Sequence, residues 1–200
     1  MQDSTRGPSP SPASRASPRL PRAARRDQIL AAATAAFARA GFVATSLDDV
    51  AAEAGISRVI LYRHFDSKAE LYRAVLDRAR ARLVAAAPGP EFSAASVDGL
   101  VTAAADDPAG FRLLFQHAAR EPEFREEIDQ HRAEMVALAH RQLARAIHDP
   151  RWSRWAAELA PTIAIEAVLA WLDAGQPDPG LAPDRVRRAI AGVIDAATGK

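Results

Sequence analysis

The sequence predicts an all-α protein made of a small N-terminal helical domain and a larger helical domain behind it. Three observations support this fold class. Apolar side chains recur at three- and four-residue spacing through most of the chain, only 6% of the 200 residues are aromatic, and alanine is abundant. Such a chain favours closely packed helices over sheets, and it is long enough for one large or two small hydrophobic cores.

The composition argues against several classes of protein. The chain has no cysteine, which excludes disulfides and thiolate chemistry. No apolar run reaches the length of a membrane span, and the N-terminal arginines are not followed by the apolar stretch of a secretory signal. We therefore expect a cytoplasmic protein without a membrane segment.

The formal net charge of +1 hides an uneven distribution. Residues 1–80 hold 13 basic and 8 acidic side chains, whereas residues 81–200 hold 13 basic and 17 acidic ones. A basic N-terminal part on an acidic body fits a protein whose head binds a polyanion.

The chain begins with a segment that cannot form a core. Residues 1–21 are rich in proline, serine and arginine and are predicted to be a disordered tail. Together with Arg25 and Arg26, this tail could lie along a polyanion as an arm, and a solvated tail without a role is the alternative. The first helix is predicted over residues 22–40, with Gly41 as its stop.

Two short helices separated by a glycine turn follow. Ser46 can cap the first of them, with Asp49 as the carboxylate of a capping box. Gly55 ends this helix, and Ser57 caps the next, on which Leu61 points inward. This order of signals is that of a helix-turn-helix.

The outward face of the second short helix is unusual for a surface that meets only water. Val59 and Arg63 fall opposite Leu61, with Ile60 and Tyr62 on its flanks. A helix-turn-helix places such a helix in the major groove of DNA. Arg63 could then donate two hydrogen bonds to a guanine edge, and Val59 could contact a thymine methyl group.

Lys68 is a second indication of an anionic partner. It lies in the first turn of the next helix, which Ser67 and Glu70 begin as a capping box. A cation there opposes the helix macrodipole, whereas a nearby phosphate would reverse the sign of this effect. A solvated lysine is the alternative.

Residues 45–68, followed by AELYRAVL, resemble the DNA-binding domain of the TetR family of bacterial transcription regulators. AGIS at 54–57 and LYRHFDSK at 61–68 match the family pattern, and Val59 departs from it because most members have glycine there. The resemblance is strong over roughly residues 22–76. Outside these residues the chain agrees with the family only in its length and in its pattern of predicted helices.

The resemblance implies a homodimer that binds double-stranded DNA at a pseudo-palindromic operator, usually as a repressor that a small-molecule inducer releases. In relatives a hydroxyl near Thr45 and Ser46 contacts phosphate. A regulator of the same fold without a small-molecule ligand, or a helical protein without a DNA role, remains as an alternative. The predicted DNA-binding residues are Thr45, Ser46, Ser57, Arg58, Val59, Ile60, Tyr62, Arg63, His64 and Lys68.

The domain limits follow from these segments. We expect a helix-turn-helix DNA-binding domain over residues 22–66, a connecting helix over 67–88 that stops at the Pro-Gly-Pro of 88–90, and a helical regulatory and dimerisation domain over 93–200. In the last domain the predicted helices cover residues 94–105, a stripe from Phe111 to Ala118, residues 123–148, residues 151–174 with Pro161 as a bend, and a final helix from Pro183.

Two kinds of binding residue are predicted in this body. An apolar ligand pocket would draw on Phe111, Phe115, His117, Trp152 and Trp155. The last two helices are apolar on more than one face, which indicates a protein interface and, with the resemblance, a dimer. The predicted interface residues are Ile163, Ala167, Val168, Trp171, Ile190 and Ile194.

Catalytic chemistry is not indicated. Glu127, His131 and Glu134 share one helix face, but a charged helix produces such sets by chance. The sequence has no glycine-rich phosphate loop and no nucleophile elbow. We therefore expect neither an enzyme nor a metal or cofactor site.

Overall fold

The computed structural model describes residues 20–87 and 93–199. The predicted disordered tail, up to residue 19, and the predicted break at residues 88–90 lie outside the described residues. The described chain is helical and contains no strand, so the all-α prediction is confirmed. Its α-helices are α1 (Arg22–Ala44), α2 (Leu47–Glu53), α3 (Arg58–Tyr62), α4 (Lys68–Ala86), α5 (Ala94–Asp106), α6 (Pro108–Arg112), α7 (Arg125–Leu143), α8 (Pro150–Asp173) and α9 (Ala182–Thr198).

Local signals account for the first four helices. Gly41 interrupts the helical backbone of α1 with a φ of 79°, a value that glycine adopts without a steric penalty. Ser46 and Asp49 form the expected capping box of α2. Gly55 turns the chain with a φ of 63°, and the Ile56 amide donates to the carbonyl of Ala51 at 3.0 Å.

Two hydrophobic cores lie along the chain, and the first is not closed by the first four helices alone. This head core contains the buried side chains of α1 to α4, among them Leu61 and Tyr72. It also takes Leu113, Leu114 and Phe124 from the segment that follows α6. The body core is formed mainly by α5, α7, α8 and α9. The predicted domain limits therefore stay a prediction, because the head core draws on residues beyond 93.

The segment between α6 and α7 is not the single helix that the stripe from Phe111 to Ala118 predicted. After α6 the backbone widens into a π-turn over Leu113–His117, in which the Ala118 amide donates to the carbonyl of Leu113. Two 3₁₀ turns follow, Ala118–Arg120 and Pro122–Phe124. The wider turn changes the direction of successive side chains, so that neighbouring residues can serve different cores.

Helix α8 corrects the expectation that no apolar run could span a membrane. It has 24 residues with a most apolar stretch of mean hydropathy 1.4, which is sufficient by length and composition. Half of that stretch is buried inside the protein, where α8 packs between α7 and α9. Core helices of soluble proteins have the same character, so the hydropathy of α8 is weak evidence for a membrane.

A glycine allows α5 to approach the end of α4. A Cβ added at Gly99 would collide with the backbone of Ala86 and Ala87. Asp107 at the end of α5 caps α6 and also pairs with Arg82 of α4. These contacts hold the C-terminal half of α4 against the body, while its N-terminal half packs in the head core.

Candidate nucleic-acid interface

The shape of α3 follows from one buried residue and one cap. The Ser57 hydroxyl accepts a hydrogen bond from the Ile60 amide, and Leu61 is fully buried in the head core. On the opposite side Val59 is 62% exposed and Tyr62 39% exposed. Two large side chains are thus exposed one helical turn apart on the face that the sequence predicts to contact DNA.

A hydrogen bond from α1 holds the turn between α2 and α3, and the sequence reasoning missed the residue that donates it. The Gln28 side-chain amide on α1 donates to the carbonyl of Ala54 at 2.7 Å. Arg25 in turn donates to the Gln28 carbonyl oxygen at 2.8 Å. A polar residue directly before the buried Ile29 was the available signal for this role.

Arg58 is already oriented along the exposed face of α3. Its guanidinium lies 3.1 Å from an Asp48 carboxylate oxygen and 3.2 Å from the Tyr62 hydroxyl, and 5.3 Å from the centre of the Tyr62 ring. Both partners of the ion pair are about 60% exposed, so water competes strongly for it. A phosphate could therefore replace Asp48 without a large loss.

The structure assigns Lys68 a partner that the sequence did not suggest. Its ammonium donates to the carbonyl of Phe42 at 2.9 Å and to that of Val43 at 3.3 Å, and lies 4.4 Å from the centre of the Phe42 ring. The carbonyls at the end of α1 thus offset the unfavourable position of the lysine at the start of α4. An ammonium has three protons, so one remains for a further acceptor.

The hydroxyls expected at phosphate have other partners, and Thr45 is a correction. Thr45 is 2% exposed, and its hydroxyl donates to the Gly41 carbonyl at 2.7 Å, which closes the kink of α1. It is therefore not available to a ligand outside the protein. Ser46 and Ser57 are exposed, although their hydroxyls serve as helix caps.

A basic hollow lies beside α3. Its wall combines the start of α1 with the end of α3, and the residues that line it are Leu20, Arg22, Arg25, Ile60, Arg63 and His64. Partial burial lowers the pKa of His64 below its usual 6.5, and the positive charges of Arg22, Arg26 and Arg25 lower it further. The hollow is a site where several cations converge with no acidic lining residue among the described ones.

The body contains an apolar cavity, but two of the predicted pocket residues lie elsewhere. Phe115 lines the cavity, and Phe111 packs behind it with ring centres 4.7 Å apart. His117 does not line it. Trp152 and Trp155 are wrong as pocket residues, because their rings meet edge to face on the surface of α8, with centres 5.6 Å apart, and are 48% and 39% exposed.

The cavity has two lobes whose polar residues the sequence reasoning did not identify. The larger lobe has a volume of about 250 Å³ and the smaller about 150 Å³. Arg80 of α4 lines the larger lobe, and His131 and Met135 of α7 line both. The set Glu127, His131 and Glu134 is not assembled around a metal position in the described residues. Glu127 pairs instead with Arg73 at 2.7 Å.

Three residues predicted for the dimer interface are buried inside the subunit. Val168, Trp171 and Ile190 belong to the body core, where α8 packs on α9. Their apolar character is therefore explained within one chain, and assigning them to an interface was wrong. Ile163, Ala167 and Ile194 remain partly exposed.

Comparison with known proteins agrees with this architecture. The family model described as bacterial regulatory proteins of the tetR family matches residues 29–75. The HTH-type transcriptional activator FasR of Mycolicibacterium smegmatis is 37% identical over 107 residues, 50% of this chain and 49% of the relative. An HTH-type transcriptional repressor of Streptomyces coelicolor is 31% identical over 55% of this chain and 60% of its own.

The alignments thus span about half the length of these curated relatives. Among solved structures, a TetR-like transcriptional regulator from Rhodococcus superposes with a TM-score of 0.77 at 25% identity, over 91% of this chain and 100% of the other. The family model covers most of α1, all of α2 and α3 and the start of α4, and the structural match extends over the body. The chain belongs to the TetR family of bacterial regulatory proteins.

Proposed function

We propose that the protein is a cytoplasmic, sequence-specific DNA-binding transcription regulator. It acts as a homodimer on a pseudo-palindromic operator, and a small, largely apolar ligand in the body cavity releases it, as in a repressor. The observation that carries the proposal is α3, whose exposed Val59, Tyr62 and Arg63 stand beside the basic hollow. The names of the relatives, which include an activator and a repressor, support a role in transcription regulation.

The exposed side chains divide into two kinds of contact. Arg63 and Val59 face outward at the end and the start of α3, where base edges would lie in the major groove. Arg22, Arg25 and Arg58 are placed to contact phosphates, which position the protein without reading sequence.

A second copy of the chain is the proposed partner of α8 and α9. On α8, apolar residues that are exposed or partly exposed recur at three- and four-residue spacing: Trp152, Trp155, Leu159, Ile163, Ala167 and Ala170. On α9 the exposed small residues Ala189, Gly192 and Ala196 have the same spacing. Such stripes suit helix packing across a twofold axis, and two copies of α3 would then read two half-sites.

Helix α4 provides a route from ligand to DNA. Its C-terminal half lines the cavity with Arg80, Leu83 and Val84, and its N-terminal half is buried in the head core through Leu71 and Val75. A ligand that binds better to one orientation of α4 would shift the spacing of the two α3 helices.

The proposal is tested by fluorescence anisotropy on DNA from upstream of the protein's own gene, with scrambled DNA as the control and several salt concentrations. We expect saturable binding that prefers the upstream DNA and involves two subunits per site. Equally weak binding to both DNAs that vanishes with salt would reflect only the basic head and would contradict specificity for this DNA.

Replacing Arg63 by alanine is expected to relax the preference at one base pair of the half-site by about 1–3 kcal/mol, because a bidentate contact to guanine is lost. Titration of a set of operators with single base changes measures this effect. Arg145→Ala, at the far end of the body, is the matched control and should leave every affinity unchanged. If Arg63→Ala discriminates all the operators as the parent does, the groove assignment is wrong.

Affinity for the operator is expected to rise as the pH falls from neutrality toward the lowered pKa of His64 in the free protein, because DNA phosphates would raise this pKa in the complex. The complex then binds more protons than the free protein, so lower pH favours it. His64→Gln should flatten the dependence, and His148→Gln on the exposed end of the body should not. A slope that is unchanged in His64→Gln would place His64 away from the phosphates.

A further inference from the structure

We infer that the ligand of the body cavity is an amphiphile with a flexible apolar chain and one carboxylate, and that Arg80 is the counter-ion of this carboxylate. The inference deepens the proposed function, on which its regulatory meaning rests. It depends on the chemistry of the cavity wall and on the shape of its two lobes.

The cavity wall is apolar over most of its surface. The larger lobe lies between α4, α5, α7 and α8, and most of its lining side chains are apolar, among them Leu83, Val84, Leu100, Phe115, Met135 and Ile165. Such a wall binds apolar groups by burying their surface, and the polar side chains among its lining residues are Arg80, Ser96 and His131.

The shape of the cavity favours a flexible chain. The two lobes share a wall that includes Phe115, His131 and Pro161. A chain of methylene groups could occupy both lobes by bending around this shared wall, which a rigid ring system of the same total volume could not do. Met135 belongs to the shared wall, and a movement of its unbranched, flexible side chain would open a passage between the lobes.

Arg80 supplies the polar end of the site. Its Nε is buried without a hydrogen-bond partner, while its Nη1 lies 3.3 Å from Asp77, whose side chain is 69% exposed. A buried donor without an acceptor is unfavourable, so a ligand acceptor that meets Nε after the side chain turns toward the larger lobe removes this cost. Nε and a terminal nitrogen of a guanidinium form the fork that a carboxylate accepts with both oxygens.

The charges around the larger lobe indicate a head group with one negative charge. No Asp or Glu is among its described lining residues, and Arg80 is the one Arg or Lys among them. Burial lowers the pKa of His131, and the positive charge of Arg80 lowers it further against the opposing effect of Glu134. His131 is therefore neutral at pH 7, so the larger lobe presents one full positive charge to the ligand. The smaller lobe is lined by one basic and one acidic residue, Arg132 and Glu166, whose formal charges cancel.

The wall of the cavity is also joined to the head core. Phe115 lies in the π-turn Leu113–His117, which carries Leu113 and Leu114 into the head core. π-turns are frequent at functional sites because the extra residue lets the turn shift. A chain that displaces Phe115 would thus move residues that pack against α1 and α4.

The test is isothermal titration calorimetry of the full-length protein with three probes that share one chain: octanoate, 1-octanol and octylamine. We expect octanoate to bind about tenfold more tightly than 1-octanol, and octylamine to bind most weakly. In Arg80→Gln the preference for octanoate should disappear while the affinity for 1-octanol stays the same. Arg141→Gln, an exposed arginine of α7 outside the cavity, is the charge-matched control and should keep the preference.

Three results would overturn the inference: equal affinities of the parent for octanoate and 1-octanol, no binding of any probe, or a preference that survives in Arg80→Gln. Arg80→Lys keeps the charge without the fork and should show an intermediate preference, which guards against a folding defect in the glutamine variant. The calorimetry needs no DNA. Octanoate binding without operator binding would refute the regulator proposal and leave the ligand class standing. Operator binding without a preference for octanoate would refute the ligand class and leave the regulator proposal standing.

Discussion

Gly192→Glu is expected to separate the homodimer and to lower the affinity for a two-half-site operator by roughly 10²–10⁴-fold, because each head would then bind alone. Gly192 lies in the stripe of small exposed residues that we assign to the interface. In one subunit nothing lies within 4 Å of a Cβ at this position. Since glutamate is also a better helix former than glycine, the substitution should not harm the subunit itself.

The neighbouring substitution Ala191→Glu is the matched control, because it adds the same charge to the same helix on a side that also carries Asp184 and Arg188. Analytical ultracentrifugation gives the oligomeric state, and anisotropy on full and half operators gives the affinities. A Gly192→Glu variant that remains dimeric and binds as the parent does would show that the dimer uses a different face.

The head of the protein could be predicted from sequence because its signals are local. Ser46 with Asp49, Gly55 and Ser57 each act within a few residues, and their roles in α2 and α3 are those that the spacing indicates. Leu61 is buried for the same reason, since its neighbours on a short helix are set by helix geometry alone.

The errors in the site concern residues whose surroundings come from distant parts of the chain. The sequence shows that Val168 and Trp155 are apolar, but not which of them another helix of the same chain covers. Thr45 is buried by the kink at Gly41, and Lys68 finds its acceptors 25 and 26 residues upstream. In the sequence Arg80 is one of several charged residues on α4, and only the packing of α5, α7 and α8 around it makes it part of a cavity.

Phe124→Ala is expected to lower the free energy of unfolding by about 3–5 kcal/mol, the usual range for removing a buried aromatic side chain. Phe124 is fully buried, with its ring centre 4.9 Å from that of Phe42 and 4.6 Å from that of Tyr72. The Arg73 guanidinium lies 5.1 Å from the centre of its ring. Urea unfolding of the full-length chain measures the loss.

Phe115→Ala is the matched control, because Phe115 is only partly buried and lies in the cavity wall. It should cost less stability, and a loss as large as that of Phe124→Ala would contradict the special position of Phe124 in the head core.

Phe124→Ala should also weaken operator binding by more than the unfolded fraction of the protein accounts for. Phe42 packs on Phe124, and its carbonyl accepts a hydrogen bond from the Lys68 ammonium. A cavity at Phe124 would therefore loosen the junction of α1 and α4 that supports α3. Since Phe124 follows the π-turn that contributes Phe115 to the cavity, the stability of the DNA-binding face depends on the body that would hold the ligand.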